Sequence, residues 1–173
     1  MNHRNIILIG PMGSGKSTIG SIIAKRLNRE FQDSDHYIEE RTGVDIARIF
    51  DIEGEQGFRD RESKALADLL AQNNRVIATG GGSVLRKQNQ KLLKKEGYIV
   101  FLDTSVNQQM QRLERDKKRP LLQTENPRQK LEALFEERHP IYLELADLAI
   151  KTDRRVARRL ATDIIKQLPE NLK

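Results

Sequence analysis

The sequence predicts an α/β domain in which a parallel β-sheet is covered by helices on both faces. Two observations carry this. Short β-like runs alternate with longer helical patterns along the chain, and the first run, Ile6-Ile7-Leu8-Ile9, is apolar throughout and passes through a glycine-rich turn into an amphipathic helix. Parallel strands need long crossover connections, and helices in those connections bury both faces of the sheet.

Taken in order, the β-like runs are residues 5–10, 30–33, 75–80, 98–103 and 147–152. A helix over 17–27 places Ile19, Ile22, Ile23 and Leu27 near one face, and one over 54–72 places Phe58, Ala65, Leu66, Leu69 and Leu70 on a stripe. A helix over 127–138 starts with Asn126 as cap and Pro127 at its first position. Asp153 is a candidate cap for a last helix carrying Val156, Leu160, Ile164 and Leu168. Residues 112–126 fit neither pattern. Charge dominates their first half and little periodicity remains in the second, so they read either as a solvated loop or as a lid over bound phosphates.

The composition narrows the function classes. At 173 residues the chain fits one domain, 1–173. No apolar run approaches the ~20 residues of a membrane span, and the first run is shorter than the about 7–15 apolar residues of a secretion signal. Cysteine is absent, which excludes a disulfide framework, a thiolate nucleophile and a Cys-ligated zinc. A cytoplasmic monomer is expected. The net charge is +6, but aromatic residues make up only 5%, with no Trp, and do not interleave with the basic residues. That argues against nucleic acid as a partner and for anionic small substrates. His3, His36 and His139 show no ligand spacing and are read as non-catalytic.

Gly10-Pro11-Met12-Gly13-Ser14-Gly15-Lys16-Ser17 matches the phosphate-binding pattern G-x-x-x-x-G-K-[ST], in the required context of strand before and helix after. Glycines let the backbone turn its N–H groups onto phosphate oxygens, and the helix beginning near Ser17 adds the positive end of its dipole. Lys16 reaches the β- and γ-phosphates, and the Ser17 hydroxyl can ligate Mg²⁺. Thr18 stands where a dinucleotide fingerprint needs glycine. No guanine-reading Asn-Lys-x-Asp segment and no protein-kinase loop set is present.

Phosphoryl transfer also needs an acceptor held in line and screened from water, at the carboxyl ends of neighbouring strands. One such end is Asp33-Ser34-Asp35. The other is Thr79-Gly80-Gly81-Gly82, where glycines let a ligand approach the backbone or simply make a flexible turn. Asp35 reads as an acceptor ligand, as a helix N-cap, or as both. Arg59 and Glu62, three apart, share a helix face, either as a carboxylate grip with its brace or as a surface ion pair. Arg138 stands before His139-Pro140.

Residues 10–18, Asp33-Ser34-Asp35, Gly54-Glu55 with Phe58-Arg59-Asp60-Arg61-Glu62, Thr79-Gly80-Gly81-Gly82, Lys117-Lys118-Arg119-Pro120-Leu121-Leu122 and Arg138-His139-Pro140-Ile141-Tyr142 together resemble the shikimate kinase family, in order and spacing through nearly the whole chain. The resemblance implies a nucleoside-monophosphate-kinase-like fold, a five-stranded parallel sheet of order 2-3-1-4-5 with a lid at about 112–126. It implies ATP at Gly13, Ser14, Gly15, Lys16, Ser17 and Thr18 with Mg²⁺ on Ser17. Shikimate would lie against Asp35, Arg59, Glu62, Gly81, Gly82 and Arg138. Arg119 would reach the transferred phosphate from the lid, and Arg112 and Arg155 would lie near the adenine. Lys16, Asp35 and Arg119 would be the catalytic groups. Two rivals remain at this stage. One is another small-molecule kinase of the same architecture, acting on gluconate or a nucleotide. The other is a P-loop protein that binds ATP to regulate or to grip nucleic acid.

Overall fold

The computed structural model describes residues 4–114 and 124–173. The middle of the expected lid, Arg119 included, lies outside the described residues. The elements in chain order are β1 (Asn5–Ile9), α1 (Lys16–Arg26), β2 (Glu30–Asp33), α2 (Ser34–Thr42), α3 (Ile46–Leu70), β3 (Arg75–Ala78), α4 (Lys87–Glu96), β4 (Gly97–Asp103), α5 (Val106–Leu113), α6 (Pro127–Leu145), β5 (Leu148–Lys151) and α7 (Ala157–Gln167). The strands form one sheet of order β2-β3-β1-β4-β5, and every pairing is parallel.

The all-apolar character of β1 follows from its central place. Ile6, Leu8, Val76, Val100 and Leu102 point to one face and pack on Ile19 and Ile23 of α1 and on Leu160 and Ile164 of α7. Ile7, Ile9, Ile77, Ile99 and Phe101 point to the other and meet Leu66, Leu69 and Leu70 of α3 and Tyr142 and Leu145 of α6. Each such side chain, fully buried, contributes about 1.5–3 kcal/mol. Register then positions the functional loops. Leu8 pairs with Ala78, and Ala78 pairs with Asp33. The carboxyl ends of β1, β3 and β2 therefore lie side by side.

Three expectations are corrected. Asp153 does not cap α7: that helix begins after Val156 without a side-chain cap. The Asp153 carboxylate instead accepts from the Ser105 N–H, at 3.0 Å, and from the Ser105 hydroxyl. Parallel pairing of β4 with β5 sets the two strand-end loops against each other, and Ser105 is the cap of α5. The helix expected from Gly54 begins earlier, at Ile46, where the Asp45 side chain accepts from the Arg48 N–H at 2.8 Å. Gly54, at φ 70 and ψ −178, breaks it into two helical pieces joined at a kink. Helix α6 starts at Pro127 with Asn126 as its cap, as expected, but continues past Arg138 to Leu145. Its buried stripe of Leu131, Arg138, Tyr142 and Leu145 holds it on the sheet. Pro140 sits on the exposed side, where water can take the carbonyl that loses its donor.

Asn5 is fully buried although polar. Its Nδ2 donates to the Gln72 carbonyl at 2.8 Å, and its Oδ1 accepts from the Arg75 N–H at 3.0 Å, which fastens the start of β1 to the turn before β3. Asn5→Ala is expected to destabilise by about 2–4 kcal/mol, because two backbone groups lose their partners. Urea unfolding measures this; a change below about 0.5 kcal/mol would show that water replaces the side chain freely.

Candidate active site

The turn after β1 wraps into α1 with Gly15 at the helix N-cap in the left-handed region. No side chain caps α1, and an uncapped helix N-terminus is the arrangement that binds anions. The Lys16 ammonium donates to the carbonyls of Gly10 at 2.9 Å and Pro11 at 2.8 Å and to Ser14 Oγ at 3.3 Å, which holds it over the turn. Ser14 is fully buried, and its N–H donates to the Pro11 carbonyl at 3.2 Å, so it braces the turn from inside. Arg112 of α5 donates to the Gly13 carbonyl at 2.8 Å.

Asp33 ends β2 and caps α2, accepting at Oδ1 from the N–H groups of Asp35, at 3.0 Å, and His36, at 3.3 Å. Its Oδ2 accepts from the Ser17 hydroxyl. The cap is thus Asp33, and Asp35 falls in the first turn of α2, from where it lines the site.

Two clefts meet here. One, of about 740 Å³, is lined by Gly13, Gly15, Lys16, Ser17, Thr18 and Arg112 with Asp33 and Thr79. The other, of about 490 Å³, is lined by Arg59, Glu62, Gly82 and Arg138, with Ile46, Phe50 and Phe58 as its apolar wall. Both clefts share Met12, Asp35, Gly80 and Gly81. The phosphate side thus opens onto the acceptor side at the carboxylate of Asp35.

The charges of the second cleft are buried. Arg59 donates to Glu62 Oε2 at 2.8 Å and to Glu55 Oε1 at 3.2 Å, and it is 7% exposed while Glu62 is 0% exposed. Burial alone would lower the Arg59 pKa, but Glu62 and Glu55 offset it and the pKa is raised. Burial pushes the Glu62 carboxyl above the usual carboxylate range; Arg59 and Arg138 pull it down and Asp35 pushes it further up. These four groups therefore feel one another. Among the described residues, the buried Nε of Arg59 and that of Arg138 have no hydrogen-bond acceptor in the protein. The Arg138 Nε lies at ion-pair distance, 3.5 Å, from Glu137. Such donors suit a bound anion.

Close approach favours glycine at two positions of the 80–82 turn, Gly80 and Gly82. A Cβ on Gly80 would stand 2.6 Å from Glu62 Oε1 and 2.9 Å from Asp35 Oδ1, and one on Gly82 would stand 2.3 Å from the Arg59 guanidinium.

Most of the residues read from the sequence come together in this way. Arg155 lines neither cleft; it pairs with Asp163 of α7 and donates to the Lys151 carbonyl at 3.4 Å. Sequence reasoning left out Asp33 as a site residue, although it adjoins Asp35 at the same strand end. It also left out Met12, the apolar wall and Ser34, whose hydroxyl accepts from the Gly80 N–H at 3.0 Å. The i, i+4 pair Ile46 and Phe50 was a signal for the wall. No helix among the described residues is long and apolar enough to cross a membrane.

Comparison with known proteins gives a consistent answer. The family model for shikimate kinase matches residues 12–169. A shikimate kinase of Vibrio cholerae serotype O1 is 53% identical over 169 residues, covering 98% of this chain and 97% of the relative. One from Actinobacillus pleuropneumoniae is 54% identical over 169 residues with the same coverage. Among solved structures, the shikimate kinase of Acinetobacter baumannii in complex with shikimate superposes with a TM-score of 0.93 at 49% identity, covering 95% of this chain and 92% of that one. A matched family model, long full-length identity and a shared fold leave one conclusion: the chain belongs to the shikimate kinase family.

Proposed function

We propose that this chain transfers the γ-phosphoryl group of ATP to the 3-hydroxyl of shikimate, giving 3-phosphoshikimate and ADP on the route to chorismate and the aromatic amino acids. The observation that carries this reading is the meeting of a phosphate cradle with an arginine-lined cleft at Asp35. Family membership supports the same reaction. The hydroxyl oxygen forms the new bond to the γ-phosphorus as the bond to the bridging oxygen of ADP breaks. Asp35 accepts the hydroxyl's hydrogen bond and is placed to take its proton. Arg59 and Arg138 hold the carboxylate, Glu62 fixes the Arg59 fork, and the N–H groups of the 81–82 turn face the ring. Loose phosphoryl transfer leaves the protein mainly positioning and charge to supply. Lys16 supplies charge at the γ-phosphate. Arg119 is assigned the same task from a lid at about 112–126, Arg112 lies along the nucleotide, and Arg155 belongs to the adenine side.

Mg²⁺ fits the Ser17 end of the phosphate cleft. The Ser17 hydroxyl and the Asp33 carboxylate there are hard oxygen donors that would hold the ion together with water and phosphate oxygens. The ion would neutralise charge on the phosphates. The chain acts as a monomeric single domain, 1–173, in the cytoplasm.

Gly81 differs from its neighbours. A Cβ there would make only ordinary contacts, 3.6 Å from the Gly10 carbonyl oxygen, the Met12 nitrogen and Tyr142 Oη. Gly81→Ala therefore folds normally but puts a methyl where the two clefts join. A loss of about 10²-fold in kcat/KM is expected at an unchanged Tm, since a misplacement of about 1 Å costs that much. Near-normal activity would move the transfer point elsewhere.

Asp35→Asn is expected to lower kcat by about 10²–10⁴-fold while the Kd for ATP stays within about twofold. Equal loss of nucleotide affinity would assign Asp35 to the ATP side.

The reading as a whole is tested by the acid itself. Shikimate and its neutral carboxamide are compared as acceptors in wild type, Arg59→Lys, Arg138→Lys and the double variant. Each charge-assisted contact contributes about 1.5–3 kcal/mol, or roughly 10- to 100-fold in kcat/KM. The amide is expected to be poor, and the two arginine variants non-additive because they hold one group. Wild-type turnover of the amide at the rate of the acid would refute the assignment of the acceptor.

A further inference from the structure

Three glycines in succession leave the turn after β3 without side chains to hold it, yet its backbone lies between both clefts. Neighbouring elements hold it instead. The N–H and the hydroxyl of Thr79 both donate to the Leu8 carbonyl at 3.1 Å. Ser34 holds the Gly80 N–H. On the far side, Tyr142 Oη donates to the Gly81 carbonyl at 2.5 Å. Tyr142 is 2% exposed and stacks on Phe101 with ring centroids 5.0 Å apart, so its hydroxyl is fixed by the core itself. Arg138 stands one turn earlier on α6, near enough for its charge to act on the same phenol.

Peptide geometry gives this contact a directional consequence. The Gly81 carbonyl and the Gly82 N–H belong to one trans peptide plane and point in opposite directions. A carbonyl held by Tyr142 aims the Gly82 N–H away from Tyr142. Gly82 lines the acceptor cleft and Tyr142 does not. Among the described residues, the Gly81 and Gly82 N–H groups donate to no protein acceptor. With glycine on both sides, nothing local opposes rotation of that plane, because glycine adopts positive and negative φ about equally.

We infer that Tyr142 is a positioning residue for the acceptor: its hydroxyl locks the Gly81–Gly82 peptide against flipping, so that the Gly82 N–H keeps facing the cleft that Arg138 also lines. This rests on the shikimate reading above, and it assigns Tyr142 no contact with the reacting atoms. The acceptor site is thereby coupled to the hydrophobic core through a single phenol.

The test is Tyr142→Phe, which keeps the ring and removes the donor. KM for shikimate is expected to rise about three- to tenfold, the worth of one neutral hydrogen bond, with KM for ATP within about twofold of wild type. A purely structural role would lower Tm and leave the ratio of the two KM values unchanged; that outcome overturns the inference, as does a shikimate KM within about twofold of wild type. If the phenylalanine variant does not fold, 4-fluorophenylalanine and 4-aminophenylalanine at position 142 keep the volume and differ in the donor. Only the amino form is expected to restore the wild-type KM, and equal values for the two overturn the inference. The wild-type control separates the two levels. Wild type that releases no ADP with shikimate overturns the function and the inference together, whereas active wild type beside an unaffected variant overturns the role of Tyr142 alone.

Discussion

Parallel register is the constraint on which the site depends. Leu8 opposite Ala78, and Ala78 opposite Asp33, end three strands at one level. The phosphate turn, the Asp33–Asp35 corner and the glycine turn must then leave the sheet beside one another. A slip of one residue would exchange the two faces of a strand. Ile6 and Leu8 would trade places with Ile7 and Ile9, two apolar clusters that serve different helices. The core packing that forbids this slip is also what aligns the strand-end loops of the candidate site. Stability and geometry are thus set by the same side chains.

Within that frame the acceptor cleft holds an arrangement that stability alone does not explain. A buried Arg–Glu pair recovers little more than its desolvation cost, and apolar residues of like volume often serve as well or better. Arg59 and Glu62 are nevertheless buried together, beside Arg138 and within the influence of Asp35. Glu62 takes part of the Arg59 fork and leaves the guanidinium immobile against Gly82. A preset guanidinium loses little side-chain entropy when it meets a carboxylate. The pair reads as preorganisation for an anion, maintained at some expense to the fold.

How much of this the sequence disclosed depended on whether the signal was local. The phosphate turn, the central strand and the Asn126 cap are fixed by residues adjacent in the chain, and each was legible. So were Arg59 and Glu62, which meet on one helix. The identity of the cap at Asp33 was not, because two acidic residues at a strand end satisfy the same pattern and only backbone geometry separates them. Asp153 looked like a cap for the same reason; its true partner, Ser105, lies 48 residues away and is brought near by strand pairing. The helix expected over 127–138 runs on to Leu145 because Pro140 falls on its water-facing side, which chain-local rules cannot see. Tyr142 falls within the Arg138–Tyr142 pattern, but its contact with Gly81 spans 61 residues and has no local signature.

The break at Gly54 has a consequence for how such a cleft can diversify. The piece of α3 before it carries Ile46 and Phe50, the greasy side of the acceptor cleft; the piece after it carries Arg59 and Glu62. Phe50 still touches Phe58 across the break, with ring centroids 4.8 Å apart. Because the glycine interrupts the helix, the two pieces need not share an axis, and the angle between them is set by side-chain packing. Exchanging residues on the first piece reshapes the space offered to a ring without turning the guanidinium on the second. On the proposed reading, shape selection and acid recognition are written on one helix in separable clauses, and drift in the first leaves the second legible.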